Sequence, residues 1–301
     1  MATIIDSNLG DILYRGKVRD TYDLGKNRLL MVATDRISAF DVVLPNGVPD
    51  KGIILSRLSD FWFTRTEHIM PNHMIALADD MHHLSDLVTH PLISKLGNEL
   101  AKRSVAVKRA ERIDVECIVR GYLTGSAWAE YKKHQSVFWQ DMPSGLSEGF
   151  KFEEPLFTPT TKADKGHDEN MQISVMESMV GKEMTDKLKE KTVDLYNFAH
   201  DFAYDRGLIL ADTKIEFGIV DGELIVIDEL LTPDSSRYWD ANLYELGQSP
   251  PNFDKQFVRD WLINTEWNKE PPAPSLPEDI LSITRERYLE AYKRLTGTSA
   301  T

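Results

Sequence analysis

Apolar and polar residues alternate along much of the first hundred residues, a period-two pattern that predicts short β-strands. Residues 12–22 and 28–34 flank the turn sequence LGKN at residues 24–27, and these segments together predict a β-hairpin. One stretch has helical spacing instead, because its apolar residues recur every three or four positions: Ile54, Leu58, Phe61 and Trp62. We therefore expect an N-terminal part that is rich in strands and contains one helix.

Residues 104–108 and 115–119 predict two more strands, separated by a charged stretch that begins at Arg109. The chain has 301 residues, more than the roughly 100–200 usual for one domain, so two lobes are expected. We place the boundary near Arg109, which gives an N-terminal lobe of residues 1–109 and a C-terminal lobe of residues 110–301.

The C-terminal part combines a long irregular segment with two helices. Residues 139–170 are rich in Pro, Gly, Ser, Thr and charge, which predicts a long loop region. Apolar residues at helical spacing predict a helix through residues 188–202, with Gly207 as its C-terminal stop. A last amphipathic helix is predicted at residues 278–296.

A second hairpin, at residues 208–230, carries the most informative charges of the chain. Its two strands flank the Asp-Gly pair at residues 221–222, a strong turn signal. Period-two alternation places Asp212, Lys214 and Glu216 on one face of the first strand. Such a face is either exposed to solvent or functional, and the alternation alone fits both interpretations equally.

The Asp-Gly turn allows two registers, which differ in where Asp228 lies. A two-residue loop pairs Val220 with Glu223 and turns Asp228 to the far face. A three-residue loop pairs Ile219 with Glu223 instead, and that register sets Asp228 opposite Lys214. We predict the second register, because it clusters Asp228 with the charged face, as a metal–phosphate site needs.

Distances along this strand suggest which metal ion each carboxylate binds. Asp212 and Glu216 lie about 13 Å apart at roughly 3.3 Å per residue, so they do not easily share one ion. Our hypothesis is that Asp228 bridges two metal sites. One is shared with Glu216 near a nucleotide, and the other is shared with Asp212 near an acceptor substrate.

Composition and charge narrow the possible functions. With 35 Lys and Arg against 48 Asp and Glu, the net charge of −13 argues against a general nucleic-acid or membrane binder. The single cysteine, Cys117, leaves no internal disulfide framework, and the pattern predicts neither a signal peptide nor a membrane span. We expect a cytoplasmic protein in which a bound anion requires a local basic pocket.

Three short segments could supply such a pocket. Arg15, Lys17 and Arg19 alternate along a predicted strand that leads into a turn. The other two combine an arginine with hydroxyl groups near turns: Arg120 with Ser126, and Arg237 with Ser235 and Ser236. Each pattern alone also fits an ordinary solvated surface. No Walker-type or Rossmann-type glycine pattern occurs, which disfavours those nucleotide sites.

Taken together, the sequence resembles the SAICAR synthetase family, the phosphoribosylaminoimidazole-succinocarboxamide synthases. The resemblance rests on RGKVRD at residues 15–20, DRISAFD at 35–41, DKG at 50–52, VECIVR at 115–120 with TGS at 124–126, DTKIEFG at 212–218, and DE at 228–229 with DSSR at 234–237. It implies an α+β, two-lobed fold similar to the ATP-grasp and kinase arrangement. The small N-terminal lobe would be β-rich, and ATP would lie in the cleft between the lobes.

The resemblance also implies a reaction. The family is a carbon–nitrogen ligase of purine biosynthesis that joins 5-aminoimidazole-4-carboxylate ribotide (CAIR) to L-aspartate, using ATP and Mg²⁺ and passing through an acyl phosphate. The long segment 139–170 resembles that of the longer family members, which favours a monomer over a homodimer and a position beside the active site. Small molecules are the expected partners, without nucleic acid or membrane.

Each motif residue receives an expected role from this resemblance. Mg-ATP is expected to contact Lys17, Arg19, Lys214, Glu216 and Asp228, and its adenosine to contact Lys108, Arg109, Glu111 and Glu116. The ribotide is expected to contact Arg120, Ser126, Ser235, Ser236 and Arg237, while Lys162, Asp41 and Lys51 are candidates for the aspartate side. The expected metal ligands are Asp212, Glu216 and Asp228, and the expected catalytic residues are Lys214, Asp212 and Asp228.

Two other functions fit parts of the pattern. An ATP-dependent phosphotransferase would share the nucleotide-binding residues, but the second anion site of Arg120, Ser126 and Arg237 suits a nucleotide-like acceptor better. A non-catalytic nucleotide-binding module would not need all three carboxylates together with Lys214. Release of ADP in the presence and absence of each co-substrate separates these possibilities.

Overall fold

The structure is a computed structural model that describes residues 3–162, 169–248 and 250–300. Its strands are β1 Tyr14–Arg15, β2 Arg19–Gly25, β3 Arg28–Ala33, β4 Arg36–Ala39, β5 Val42–Gly47, β6 Met74–Leu77, β7 Ser104–Lys108, β8 Glu111–Tyr122, β9 Ser136–Val137, β10 Gln140–Asp141, β11 Lys151–Phe157, β12 Thr160–Thr161, β13 Leu208–Val220, β14 Glu223–Ile227 and β15 Ser236–Asp240. Its helices are α1 Lys51–Thr66, α2 Met81–Leu87, α3 Pro91–Ser94, α4 Asn98–Ala101, α5 Gly125–His134, α6 Ile173–Val180, α7 Lys182–Tyr204, α8 Gln256–Asn264 and α9 Glu278–Thr296. Antiparallel sheets combined with long helices confirm the predicted α+β class.

The first sheet holds five strands in the order β1-β2-β3-β7-β6. Its centre is the predicted hairpin of β2 and β3, in which Gly25 pairs with Arg28. Gly25, Lys26 and Asn27 all have positive φ, the geometry that closes a tight hairpin turn. The N-terminal hairpin prediction is therefore confirmed.

The basic segment around Lys17 differs from the prediction of one continuous strand. Arg15 ends β1 and Arg19 begins β2, and the two strands pair antiparallel with Arg15 opposite Asp20. The Gly16 amide donates to the Arg19 carbonyl at 2.8 Å, which closes a tight turn around Lys17. The three cations consequently lie around a turn rather than along one strand face.

The second sheet is built around β13, in the order β11-β8-β13-β14, with β12 also on β8 and β15 also on β13. One face of β13 carries Ile215 and Phe217 into the main core, where they lie with residues of α7 and α9. The opposite face carries Asp212 and Glu216, whose side chains are only 7 % and 8 % exposed. The interpretation of this face as solvent-exposed is therefore wrong.

The turn between β13 and β14 has the register that we did not predict. Val220 pairs with Glu223, so the loop contains two residues. Asp221 and Gly222 have φ values of 51° and 83°, as in a type I′ turn, whose twist matches that of the flanking strands. The prediction of a three-residue loop is wrong, because the local preference of Asp-Gly for this turn decides the register.

Asp228 nevertheless reaches the charged side of the hairpin by another route. In the observed register Glu216 pairs with Ile227, so continued alternation would turn Asp228 to the far face. Strand β14 ends at Ile227, however, and Asp228 has a φ of 65°, in the left-handed region. This backbone reversal, which aspartate tolerates better than most residues, frees the side chain from strand alternation.

Two predicted irregular regions contain more β-structure than expected. Strand β8 begins at Glu111, so only residues 109–110 separate it from β7, and most of the charged stretch belongs to the strand. Residues 139–170 include the short strands β10 and β12 and the seven-residue strand β11, which pairs with β8. The predicted loop is therefore wrong for these parts, and its residues 163–168 lie outside the described residues.

Helices α1, α7 and α9 confirm the three predicted helices and enclose one large apolar core with the second sheet. Helix α1 contributes Ile54, Leu58 and Trp62 to that core, although it belongs to the N-terminal part of the sequence. The two sheets meet at residues 109–110, but the division into lobes at this point remains a prediction. Among the described residues, no helix is long and apolar enough to cross a membrane.

A buried ion pair fastens α1 to the first sheet. Arg103 and Asp35 have side chains that are 1 % and 0 % exposed, with Arg103 Nη1 2.6 Å from Asp35 Oδ1. The same carboxylate accepts hydrogen bonds from the Gly52 and Ile4 amides at 3.0 and 2.8 Å. Three groups, the Arg103 guanidinium and the Gly52 and Ile4 amides, therefore depend on one carboxylate that has no access to water.

Replacing Arg103 by methionine is expected to lower the free energy of unfolding by about 3–5 kcal/mol, because Asp35 would stay buried without its cation. Urea unfolding followed by circular dichroism measures this loss. The matched control is Lys102→Met, since Lys102 forms an exposed pair with Glu99 at 3.1 Å and its loss should cost less than about 1 kcal/mol. Equal losses in the two variants would contradict the assignment of this pair as a main stabilising contact.

Candidate active site

A cleft of about 920 Å³ runs between the first sheet and the charged face of the second sheet. Among the described residues, eight cationic and six acidic residues line it, so this part of the cleft is locally basic in a chain of net charge −13. The cationic residues are Lys17, Arg19, Arg112, Lys162, Lys214, Arg237, Lys255 and Arg259, and the acidic residues are Asp41, Glu116, Glu216, Asp228, Glu229 and Asp234. This composition suits the binding of several anions within one space.

The middle of the cleft holds two lysines that share two glutamates. Glu116 on β8 pairs with Glu216 on β13 across the sheet, which sets the two carboxylates side by side. Lys162 Nζ lies 2.7 Å from Glu116 and 2.6 Å from Glu216, and Lys214 Nζ lies 2.6 Å and 3.2 Å from the same groups. Lys162, expected on the aspartate side, is thus brought together with the predicted ATP-binding residues Glu116, Lys214 and Glu216.

This arrangement fixes the charges of the cluster. Burial acts to lower the pKa of Lys214, but the nearby carboxylates of Glu216 and Glu116 outweigh it and raise the pKa above the usual value for lysine. Burial likewise acts to raise the pKa of Glu216, but Lys214 and Lys162 overcome it and hold the pKa below its usual range. Lys214 and Glu216 are therefore both charged near neutral pH.

Arg19 connects the first sheet to the end of β14. Arg19 Nη1 lies 2.6 Å from Asp228 Oδ1, and Nη2 lies 2.7 Å from Glu229 Oε2. One guanidinium thus spans two consecutive carboxylates, a geometry that its planar fork allows. Lys17, at the tip of the β1–β2 turn, forms an ion pair with Asp41 across the cleft mouth.

A second cluster lies at the other end of the charged strand face. Asp212 pairs with Arg120 on one side and with Arg237 on the other, because β13 lies between β8 and β15. Arg120 Nη1 is 3.1 Å from Asp212 Oδ2, and Arg237 Nη1 forms an ion pair with the same oxygen. The two arginines therefore converge on one carboxylate, and Arg237 lines the cleft.

The start of α5 completes this second cluster. Ser126 lies in the first turn of α5 and lines the cleft beside Gly125. A Cβ at Gly125 would lie 2.6 Å from Arg237 Nη2, and Gly125 has a φ of 58°, so only glycine lets the arginine pack there. Arginines and a helix N-terminus around one space form an anion-binding arrangement.

Three residues expected to bind substrate do not reach the cleft. Lys51 is 0 % exposed and lies 2.7 Å from Asp234, deep at the start of α1. Ser236 lies on the opposite face of β15 from Arg237, with its hydroxyl 2.7 Å from that of Thr213. The Ser235 hydroxyl accepts a hydrogen bond from the Thr232 amide within a local turn. The side chains of all three residues instead make contacts within the protein.

Part of the segment expected to contact adenine already makes hydrogen bonds within the protein. The Lys108 amide donates to the His73 carbonyl at 2.7 Å, and the Arg109 amide donates to the Asn27 carbonyl at 2.8 Å. Glu111 pairs with Ile219 in the second sheet. These two amides therefore do not serve a bound base, and the side chains of Lys108, Arg109 and Glu111 line a separate surface hollow.

A family model described as SAICAR synthetase matches residues 12–274 of the chain. The chain belongs to the SAICAR synthetase family. Its relatives named phosphoribosylaminoimidazole-succinocarboxamide synthase include those of Elusimicrobium minutum, 52 % identical over 94 % of this chain and 95 % of the relative, and of Maridesulfovibrio salexigens, 50 % identical over 95 % and 93 %. The family carries out the ATP-dependent ligase step of purine biosynthesis.

Solved structures of this family share the fold. The SAICAR synthase of Saccharomyces cerevisiae, described as complexed with SAICAR, is 41 % identical, has a TM-score of 0.84, and is matched over 99 % of this chain and 98 % of its own. A SAICAR synthetase described as a complex with ADP has a TM-score of 0.69 at 23 % identity, over 96 % and 99 % of the two chains. The two-lobed, ATP-grasp-like fold that the resemblance implied is thereby confirmed.

The metal ligands predicted for this SAICAR synthetase family member do not form one cluster. Among the described residues, no group of three or more His, Cys, Asp or Glu side chains is arranged to hold a metal ion. Asp212 is enclosed by two arginines, whereas Glu216 and Asp228 both line the cleft. Mg²⁺ commonly takes one or two carboxylates together with phosphate oxygens and water. Glu216 and Asp228 line the cleft and fit such a site, whereas Asp212 is not among the described residues that line it, so its role as a metal ligand stays a prediction.

Helix α8 is the part of the cleft that sequence analysis missed. Lys255, Gln256, Arg259 and Ile263 line the cleft from one side of this helix, while Val258 and Leu262 pack into an apolar cluster. Val258 and Leu262 are four positions apart, as are Arg259 and Ile263, so the sequence pattern itself predicts an amphipathic helix here. Glu229 and Asp234 also line the cleft and had no assigned role.

Asp254, which precedes α8, is a buried carboxyl with one unpartnered oxygen. Its Oδ1 accepts a hydrogen bond from the Gln256 amide at 2.6 Å, whereas Oδ2 has no partner among the described residues. Burial raises the pKa of Asp254 to about 6, although the charges of Arg237 and Arg259 act to lower it. Its folded pKa therefore exceeds the value of about 3.9 expected in the unfolded chain.

The ionised form of Asp254 consequently destabilises the fold as the pH rises through about 6. Asp254→Asn is expected to raise the free energy of unfolding by roughly 2–3 kcal/mol at pH 7.5 and to change it little at pH 4. Urea unfolding at the two pH values measures the difference. Asp260→Asn on the same helix is the control, because Asp260 is exposed and its loss should stay within about 0.5 kcal/mol at both pH values. An equal gain for Asp254→Asn at pH 4 and pH 7.5 would contradict this.

Proposed function

We propose that this chain condenses CAIR with L-aspartate at the expense of ATP, giving SAICAR, ADP and phosphate. The observation that carries the proposal is the presence of two anion-binding clusters in one cleft. One is the Arg120–Asp212–Arg237 cluster with Ser126, and the other is the lysine–glutamate cluster with Arg19 nearby. The yeast relative, which matches nearly the whole chain, is described as a complex with SAICAR.

The nucleotide occupies the end of the cleft under the β1–β2 turn. Lys17 and Arg19 approach the phosphates from this turn, and Lys214 approaches from the opposite sheet. Their positive charges offset the repulsion between the triphosphate and an anionic acceptor, which otherwise opposes in-line approach. We place adenine toward the connection at residues 108–111, although the amides of Lys108 and Arg109 are already hydrogen-bonded within the fold.

Mg²⁺, when bound with the nucleotide, neutralises charge on the transferred phosphoryl group. Glu216 and Asp228 are the residues of this chain that hold it, because both carboxylates face the cleft. Asp212 instead keeps Arg120 and Arg237 in place. This assignment replaces the two-metal hypothesis with one carboxylate pair beside the nucleotide.

The ribotide phosphate binds at the Arg120–Asp212–Arg237 cluster. Arg237 and Ser126 present donors to the cleft, and the N-terminus of α5 adds a favourable partial charge. Holding the phosphate at this end directs the imidazole carboxylate toward Lys214 and the nucleotide. Two fixed ends thereby align the acceptor with the γ-phosphoryl group.

The chemistry proceeds in two balanced steps. A carboxylate oxygen of CAIR attacks the γ-phosphorus, and the bond from that phosphorus to ADP breaks. The amine of L-aspartate then attacks the acyl carbon of the mixed anhydride, the carbon–oxygen bond to phosphate breaks, and the amine loses a proton. Lys162 and Asp41, which both line the cleft, are candidates for contacts with L-aspartate.

The deciding assay measures ADP release by the purified protein with Mg²⁺ and ATP, omitting CAIR and L-aspartate in turn, and measures SAICAR by its absorbance. We expect ADP and SAICAR in equal amounts only when all three substrates are present. ADP formed with CAIR but without aspartate and without amide would favour a phosphotransferase, and no ADP under any condition would favour a binding module. Gel filtration with light scattering tests the monomer, and fractionation tests the cytoplasmic location, both of which stay predictions.

A further inference from the structure

We propose that Arg259 on α8 binds a carboxylate of the L-aspartate substrate. The inference rests on the proposed function and extends it, because it assigns a recognition residue that the family motifs at residues 15–237 do not include. It depends on three features: the face of α8 turned to the cleft, the ion pairing of the cleft cations, and the groups opposite α8.

The position of Arg259 follows from the packing of α8. Val258 and Leu262 are buried in an apolar cluster that also contains residues of β4 and β5, so they fix the rotation of the helix. Arg259 and Ile263 lie four residues apart on the side turned to the cleft. The Arg259 side chain is half-buried, so it is oriented by its surroundings and still reaches solvent.

Arg259 differs from the other cleft cations in its charge partners. The others pair with carboxylates: Lys17 with Asp41, Arg19 with Asp228 and Glu229, Lys162 and Lys214 with Glu116 and Glu216, Arg237 with Asp212, Lys255 with Asp234, and Arg112 with Asp114. Within the described ranges, no carboxylate lies within 4.0 Å of the Arg259 guanidinium. Among the described residues, the Arg259 side chain donates one hydrogen bond, to the neutral Gln256 amide oxygen at 3.4 Å.

Asp254, which precedes α8, is a second and independent indication of a polar group without a partner on this side of the cleft. It is 2 % exposed and retains a carboxylate oxygen without a partner, and its charge is felt by both Arg237 and Arg259. Asp254 lies more than 4.0 Å from the Arg259 guanidinium and makes no hydrogen bond to it, so it does not occupy the Arg259 N–H groups. The guanidinium keeps its donors for an oxyanion in the cleft.

The groups opposite α8 decide which oxyanion this is. Phe40 packs against the same apolar cluster as α8, and Asp41 beside it lines the cleft. An amino acid substrate presents an ammonium group that suits Asp41 and carboxylates that suit Arg259. The phosphates already have cations from the β1–β2 turn and from the Arg120–Arg237 pair. The dicarboxylate substrate is the anion that the remaining cation fits.

Arg259→Gln is the test, with initial rates measured against each substrate while the other two are saturating. We expect KM for L-aspartate to rise about 10- to 100-fold, with KM for CAIR and ATP within about twofold and kcat retained within about fivefold. Arg259→Lys keeps the charge but not the fork, so its KM for L-aspartate should fall between wild type and Arg259→Gln. Lys187→Gln, an exposed change of equal charge on α7, should leave all three KM values unchanged.

Several outcomes would overturn the inference. A rise in KM for CAIR instead of L-aspartate would assign Arg259 to the ribotide, and unchanged KM values would remove it from substrate binding. If Arg259→Gln does not fold, Arg259→Lys carries the test. A wild-type KM for L-aspartate in Arg259→Lys then counts against the proposal. Failure of wild-type protein to form SAICAR is a separate result that contradicts the proposed function itself.

Discussion

Replacing Lys214 by methionine is expected to lower kcat about 10²- to 10³-fold, the usual cost of losing one group that stabilises charge in a transition state. Lys214 Nζ lies 2.6 Å from Glu116 and 3.2 Å from Glu216, and it lines the cleft in which phosphoryl transfer is proposed. Methionine keeps the length of the side chain and removes the charge. The two glutamates keep Lys162 as a partner, so the fold should survive.

Steady-state rates at saturating ATP, CAIR and L-aspartate measure this effect, and thermal unfolding checks that the variant is folded. Lys187→Met is the matched control, because that lysine is exposed on α7 outside the cleft. A kcat within about tenfold of wild type would show that Lys214 is a structural cation only.

Asp212→Asn is expected to lower kcat/KM for CAIR about 10²- to 10³-fold, because small displacements of positioning groups have effects of this size. The Asp212 carboxylate is shared by Arg120 and Arg237, and asparagine removes the charge that holds the two guanidiniums together. The affinity for ATP should remain within about twofold, since Asp212 does not line the nucleotide end of the cleft.

Isothermal titration with a non-hydrolysable ATP analogue and Mg²⁺ separates the two effects of Asp212→Asn. Equal losses of nucleotide affinity and turnover would return Asp212 to the metal site and contradict the assignment made here. The variant also needs a stability check, because breaking a buried ion pair commonly costs about 3–5 kcal/mol. The control is Asp201→Asn, which changes an exposed carboxylate on α7.

Patterns of short range were enough for much of the fold. The turn at residues 24–27, the helical stripe through Ile54 and Trp62, and the stop at Gly207 each depend on neighbours in sequence, and each prediction is confirmed. The register at Asp221 and Gly222 also depends on neighbouring residues, yet the prediction of it is wrong. That prediction rests on an expected metal site, whereas the preference of Asp-Gly for a type I′ turn decides the register. The backbone reversal at Asp228 achieves the expected placement without a change of register.

Other parts of the site depend on contacts between distant segments. Lys51 belongs to a motif whose charge suggests a ligand, yet it pairs with Asp234, 183 residues further along the chain. Nothing near Lys51 in the sequence indicates that it is buried. The helical spacing of Val258 and Leu262 was visible, but it does not tell which element their apolar side covers. The cleft-facing role of Arg259 therefore required the tertiary structure.

If Arg19 binds the nucleotide phosphates and Asp228 binds the divalent cation, as proposed above, the two ligands share one equilibrium. Its guanidinium is the counter-ion of Asp228 and Glu229 in the absence of ligands. A phosphate group that takes over Arg19 leaves two adjacent carboxylates to repel each other, which strengthens their attraction for a cation. Thermodynamic reciprocity then requires that the metal raise nucleotide affinity by the same factor by which the nucleotide raises metal affinity. We expect either ligand alone to bind weakly and the two together to bind tightly.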